Sequence, residues 1–488
     1  MECLFPTRDA VRIMRGSTKT ADIGSGSVRR LMTYKSGATE TFFAADATSV
    51  HDISTAAADT PTTAAITGLA AGEYAWAQIG TSGGQFGVLS KLNTTDAPRI
   101  YDGSSWSTMS VTGATATDLG YVWLFKNRLW FVEHGTATLR ALPVDSIGGA
   151  VVTLQLRAVF QRGSSALFGA SWSGDSGEGL DDRLVIVGDT GEVLVYALTD
   201  PTDPATISLI GRYEITPPLG PNAHFQVGGD LVIATLDGMV PLSQVIARDS
   251  ARVSLAAISR PIEPAWRAQV AASSRATAPW SVVKWDAENM ALVSLPHATS
   301  PVVYGFNVET NAWFSRPGWD AQAWGVFGDA LYFGDSSGNI LRAEVGGSDN
   351  GALYTARLTP AFQTLGNAAQ HKECSMIRAT LRGRVTNINP RLSVAVDWDD
   401  DTFPSAPSAA VESAAAALWD SGVWDLSAWD DGGGAGAEVQ TITTRWRSVP
   451  GQGFAFAPQI QLTLGNVREP SAELVSMDML FKTGGLVV

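Results

Sequence analysis

The sequence predicts an all-β protein: a multi-bladed β-propeller of six or seven blades, a C-terminal β-sandwich-like domain and a short helical insertion. Three observations predict it. Over 488 residues the chain is 45% hydrophobic and only 17% charged, with 49 glycines, the composition of a globular chain with many strands and turns rather than of a helical or disordered one. A hairpin of one design recurs at intervals of roughly 40 to 55 residues, the spacing of propeller blades. After Gly346-Gly347-Ser348 the strands lengthen and the hairpin design stops.

The elements follow in order. TETFFAADATSVHDIS (39–54) and FGVLSKLNTTDAPRIYDGSSW (86–106) read as the first hairpins, the second turning at Asp102-Gly103. LFKNRLWFVEHGTATLRAL (124–142), LDDRLVIVGDTGEVLVYAL (180–198), VGGDLVIATLDGMVPLS (227–243) and VFGDALYFGDSSGNILRAE (326–344) align on one template. In each, a polar turn precedes an apolar strand and a Gly-bearing turn leads into a second strand, glycine supplying the positive φ of a tight hairpin. WSVVKWDAENMALVSLP (280–296) and PVVYGFNVETNAWFSRP (301–317) are further hairpins of that scale. Before them, residues 241–276 are Ala-rich and place Val245, Ile246, Trp266 and Val270 on helical spacings, so one or two helices are expected there, as packing or as an oligomer contact. The propeller is assigned to 1–348. The sandwich is assigned to 349–488, on the strands MIRATLRGRV, RLSVAVDW, VQTITTRWRSV, FAFAPQIQLTL and AELVSMDMLF, with a Trp/Asp-rich loop at 396–436.

Composition narrows the chemistry. A formal net charge of −14 sets the surface against gripping nucleic-acid phosphates. Two cysteines, Cys3 and Cys374, are too few for a disulfide framework, and no apolar run approaches the roughly 18 residues of a membrane span. The start MECLFPTRDAVRIMRG has no long apolar core, so a soluble product made in a cytoplasm is expected.

Catalytic and metal motifs are weak. Gly80-Thr81-Ser82-Gly83-Gly84 satisfies GxSxG, but a nucleophile elbow needs a helix after the turn and QFGVLSKL reads as a strand, so a Gly-rich turn is expected. His51, His134, His224, His297 and His371 are scattered without metal-ligand spacing and read as turn or surface residues. Asp175, Glu178, Asp181 and Asp182 share a Gly-rich loop, and Asp397, Asp399 and Asp401 alternate, yet neither set has the ligand order of an EF-hand. Solvated acidic turns are expected, with no catalytic residue, cofactor or metal.

The stretch LWDSGVWDLSAWDD repeats Trp-Asp at Trp419, Trp424 and Trp429. Five residues turn a helix by roughly 140° and change faces on a strand, so the three indoles cannot share one face of a regular element. They read as aromatic anchors of an interface. Asp397, Asp399, Asp400, Asp401, Asp430 and Asp431 read as an acidic loop or channel lining, and from 396 to 431 nine acidic and no basic residues supply nine of the fourteen net negative charges.

Several pieces, in their order, resemble the head-to-tail connector nozzle proteins of short-tailed bacteriophages, also called tail tubular or packaged-DNA stabilisation proteins. They are CLFPTRDAVRIMRG, FFAADATSVHDI, DAPRIYDGSSW, FKNRLWFVE, LDDRLVIVGDTGEVLVYALTDP, GGDLVIATLDGMVPLSQ, ALWDSGVWDLSAWDD and WRSVPGQGFAFAPQIQLTLG. The resemblance implies a non-enzymatic virion protein of the tail, assembled in the host cytoplasm. It implies a homo-oligomeric ring, usually of six, below the adaptor and portal proteins and near tail fibre or needle proteins. Packaged double-stranded DNA passes its channel, which closes to retain the genome and opens for ejection, and no membrane insertion is implied. An acidic channel wall would let DNA slide without binding it. Two other readings stand beside this one: a tail-associated glycan-binding or glycan-cleaving propeller, and a generic protein-interaction propeller.

Overall fold

Short strands separated by Gly- and Asp-bearing turns pair into small sheets in the computed structural model. It describes all residues except 25, 174–181, 248–256, 273–279, 296–300, 384–389, 400–402, 405, 408–440, 466–471 and 487–488, and describes 295, 441–443 and 485–486 by backbone alone. The chain divides into two compact units, one holding Lys19–Tyr304 with Trp319–Arg342, the other Met1–Thr18, Gly305–Gly318 and Ala343–Val488.

In the larger unit, antiparallel sheets succeed one another along the chain. The first is Arg30–Ser36, Thr39–Ala45, Val50–Asp52 and Ala64–Ile66; the second Tyr74–Thr81, Gly84–Lys91, Arg99–Tyr101 and Trp106–Thr108. The third is Leu119–Phe125, Arg128–Glu133, Thr138–Ala141 and Val152–Gln155; the fourth Ala166–Trp172, Arg183–Gly188, Glu192–Leu198 and Ile207–Glu214. The fifth is His224–Val227, Asp230–Thr235 and Gly238–Pro241, and the sixth opens with the hairpin of Ser281–Trp285 and Met290–Leu295. The seventh runs Ala323–Phe327, Ala330–Gly334, Asn339–Ala343 and takes Ser17–Asp22 as its fourth strand.

The sheets form a closed ring. Arg30–Ser36 contacts Tyr74–Thr81, which contacts Leu119–Phe125, which contacts Ala166–Trp172; that strand meets the fifth sheet at Asp230–Thr235. His224–Val227 contacts Ser281–Trp285, which contacts Ala323–Phe327, which returns to Arg30–Ser36. This cyclic order of first strands is that of a β-propeller, with seven blades among the described residues. The N-terminal strand seals it: Thr20 Oγ1 donates to Ile340 O at 3.1 Å and Ile23 N–H to Gly338 O at 3.0 Å. One cluster at the seam gathers Ala21, Ile23, Val28, Leu31, Phe42, Ala323 and Ile340, so residues more than 280 apart in sequence share a core.

Turn chemistry explains the registers. In the fourth sheet Gly191 sits at φ +92°, and an added Cβ there would lie 2.1 Å from Ile215 O, so only glycine closes that hairpin. At Asp102-Gly103 the Asp102 carboxylate accepts from the N–H groups of Ser104 and Ser105 at 2.8 and 2.7 Å. The expected helical insertion is present as Leu242–Ala247 and Glu263–Ala272, with Trp266 the one fully buried residue of the second helix.

The smaller unit is a two-sheet sandwich. Its five-stranded sheet is ordered Leu4–Pro6, Val11–Ile13, Ala472–Leu486, Gln370–Gly383, Thr441–Gly453, and its three-stranded sheet Tyr354–Leu358, Phe456–Leu464, Arg391–Val396. Leu4, Ile13, Ala379, Leu381 and Leu474 of the first meet Ala356, Ile460, Leu462 and Leu464 of the second in one core. The boundary at 348 therefore needs correction. Met1–Thr18 and Gly305–Gly318 cluster with the sandwich, because the hairpin of Leu4–Pro6 and Val11–Ile13 extends its larger sheet through Val11 opposite Leu474 and Arg12 opposite Glu473.

Candidate functional site

Much of the site expected from sequence lies outside the described residues: Trp419, Trp424, Trp429, Asp400, Asp401, Asp430 and Asp431, together with Asp175, Glu178 and Asp181. Of the remainder, Asp397 shapes a turn at φ +53°, its Oδ1 accepting from the N–H groups of Phe454 at 2.7 Å and Ala455 at 3.0 Å. Asp399 is exposed, with its N–H bonded to Val396 O at 3.1 Å. The GxSxG segment is a hairpin turn, Thr81 pairing with Gly84, as expected.

His134 is exposed in a turn, as expected, and His297 lies outside the described residues, but His51, His224 and His371 correct the turn-or-surface expectation. His51 is buried, Nδ1 lying 3.0 Å from Thr62 Oγ1, and His371 packs edge-on to Phe454 at 5.5 Å. His224, expected at a turn or surface, lies on the first strand of the fifth sheet, stacked on Phe168 at 4.2 Å with rings 2° from parallel. Its Nε2 is 3.2 Å from Tyr121 Oη of the third sheet. The hydrogen bond thus links the innermost strands of two sheets across a third, an arrangement that needs the third, fourth and fifth sheets packed together.

This pair forms the wall of a cavity of about 470 Å³ between the third, fourth and fifth sheets, lined also by Trp123, Asp182, Gln226 and Leu231. A second cavity, about 240 Å³, also reaches Tyr121, beside Val132, His134 and Pro221. Trp123 is placed by Gly169 of the neighbouring blade, where an added Cβ would lie 2.3 Å from the indole. Gln226 Nε2 donates to Ser171 O at 2.8 Å, fixing the rim. Near a third cavity, the fully buried Glu192 accepts from Gln161 N–H, Arg162 N–H and Ser164 Oγ at 2.8, 3.0 and 2.6 Å, a carboxylate satisfied by the fold itself.

Burial, with the Arg30 charge nearby, pushes the His224 imidazole down to about 4. The unfolded chain therefore binds more protons than the folded one between about pH 6.5 and 4. The stability from neutral His224 is full above pH 6.5 and is lost as pH falls through 4, by on the order of 2 kcal/mol once solvent reaching the cavity is allowed for. Thermal melts should show this acid-side loss in the wild-type chain and not in His224→Phe; equal pH slopes for the two would contradict it.

A second surface belongs to the sandwich. The large-sheet strand Gln370–Gly383 alternates, burying Cys374, Ile377, Ala379 and Leu381 and turning Arg378 and Arg382 outward. Opposite Arg378 stand Trp446 and Asp478 on the flanking strands. Trp446 is 41% and Leu480 51% exposed, and the Arg378 guanidinium lies 4.9 Å from the Trp446 ring centre while pairing with Asp478 at 2.8 Å.

No protein-family model and no curated protein matches the chain. Solved structures do. The computationally designed Ika8 protein aligns at TM-score 0.38 with 11% identity, covering 70% of this chain and 95% of its own. YCF48 bound to D1 peptide aligns at 0.38 with 8% identity, covering 69% and 98%, and Sqt1 of Saccharomyces cerevisiae at 0.40 with 13%, covering 68% and 99%. At these scores the likeness carries no weight, and the propeller assignment stands on the cyclic strand contacts.

Sequence reading missed Tyr121, Trp123 and His224 as one site. The available signal was slight: YVWLF is a continuous apolar run, as a strand buried on both faces would be, and only HFQV alternates polar with apolar residues. Asp182 was named, but as part of an acidic turn.

Proposed function

We propose that this protein is a protein-interaction scaffold, a propeller and a sandwich that act by presenting surfaces rather than by turnover. The observation that carries this reading is the outer face of the five-stranded sheet. Trp446, Met376 and Leu480 stand there among the ion pairs Arg378–Asp478 and Arg382–Glu473, the mixture of large aromatic, aliphatic and arginine side chains from which binding hot spots are built. Thr441–Gly453 is the terminal strand of that sheet order among the described residues, so the face ends on a strand edge open to pairing.

The finer reading is the ring-forming nozzle subunit of a short-tailed phage, with copies of this chain as the first partners and adaptor and portal proteins above. It is supported by the ordered sequence pieces that resemble that family and by the Trp419, Trp424 and Trp429 cassette, with its aromatic anchors in an acidic setting. The mass distribution of the purified chain tests both levels. A closed oligomer, converted to monomer by Trp446→Glu or Trp424→Ala with the melting temperature retained, is the expected result. A chain that stays monomeric at every concentration contradicts the ring, and an oligomer unaffected by either substitution removes these residues from its interface.

A further inference from the structure

We infer that the cavity between the third, fourth and fifth sheets is a binding site for a small uncharged polyhydroxylated ligand, a mono- or disaccharide. The inference goes beyond the scaffold reading and rests on different residues.

Buried polar atoms without partners carry it. Among the described residues, Trp123 Nε1, His224 Nδ1 and Asp182 Oδ1 are shielded from solvent, have no hydrogen-bond partner and belong to residues lining this one cavity. Trp123 is 6% exposed, so its N–H is withheld from bulk water as well as from the protein. Leaving a buried donor or acceptor unsatisfied costs roughly 1–3 kcal/mol, a cost that a complementary occupant removes. The space, about 470 Å³, is in the range of small-molecule sites and far exceeds what one or two bridging waters fill.

The chemistry of the lining selects the ligand. The indole N–H needs an acceptor and the carboxylate needs a donor, and a hydroxyl group supplies either. Leu124, Ala170 and Leu231 give an apolar wall suited to the C–H face of a sugar ring. Charge argues against ions of either sign: an anion meets Asp182, while a cation enters the field of Arg30, whose charge is felt at both Tyr121 and His224. On this wall Gly228 has nothing within 4 Å of where a Cβ would stand, so a ligand can approach its backbone closely.

Saturation-transfer NMR on the full chain tests the assignment. The probes are D-glucose, D-galactose, N-acetyl-D-glucosamine and maltose, with D-glucuronate and Nα-acetyl-L-lysine amide as charged counterparts. Transfer to at least one neutral sugar is expected, weakened by about tenfold or more in affinity in Asp182→Asn and in Trp123→Phe. Asp182→Asn keeps shape and volume, so the test holds even where Trp123→Phe disturbs the core. No transfer to any neutral sugar, transfer unchanged in Asp182→Asn, or preference for either charged probe overturns the proposal.

Discussion

Arg316→Met is expected to destabilise the sandwich unit by about 3–5 kcal/mol, the penalty for stranding a buried charge partner. The guanidinium is fully buried and bonds in three directions: to Asp349 Oδ1 at 2.6 Å, to Cys3 Sγ at 3.0 Å and to Arg15 O at 3.4 Å. It also lies 4.3 Å from the centre of the Tyr354 ring, and Tyr354 Oη donates to Met14 O at 2.6 Å. One side chain therefore ties the N-terminal segment, the 305–318 segment and the first strand of the three-stranded sheet together. Burial opposes its charge, but Cys3, Asp349, Tyr354 and Glu344 more than offset that and hold its pKa above the usual arginine value. Arg316→Lys should recover little, because a single ammonium cannot reproduce the planar fork. Urea unfolding measures the loss. Arg316→Met combined with Asp349→Leu should cost less than the two separate losses added, since no charge is then left alone; strict additivity would contradict the coupling.

Trp266→Ala should lower stability by about 3–5 kcal/mol, the range for removing a buried indole. Trp266 is fully buried, and its Nε1 donates to Thr235 O of the fifth sheet at 3.0 Å. The rest of Glu263–Ala272 is partly or fully exposed, so the helix has one anchor. Hydrogen exchange should therefore rise along that helix well beyond the change in the first and second sheets. Uniform acceleration throughout the larger unit would mean that the helix is integral to the ring rather than docked on it.

The parts of the fold legible in sequence are those written locally. Gly191 at its turn, Asp102 holding Ser104 and Ser105, and the alternating strands on either side mark hairpins wherever they occur, and Trp266 announces its helix by spacing. What escapes is non-local. Ser17–Asp22 is polar and short, and its pairing with the seventh sheet depends on closing a ring over some 320 residues. The N-terminal hairpin joins a strand near the other end of the chain, opposite Leu474 and Glu473, so its first residues read as the propeller's although they belong to the sandwich. The Tyr121–His224 bond and the cavity behind it exist because separate sheets converge, which no window of sequence contains.

A density map of the purified chain, resolved to individual strands, would show whether the ring closes and with which strand. Seven sheets in cyclic contact are expected, with Ser17–Asp22 as the outermost strand of the sheet that begins at Ala323–Phe327. A ring open between Ala323–Phe327 and Arg30–Ser36, or an N-terminal strand paired elsewhere, would contradict this.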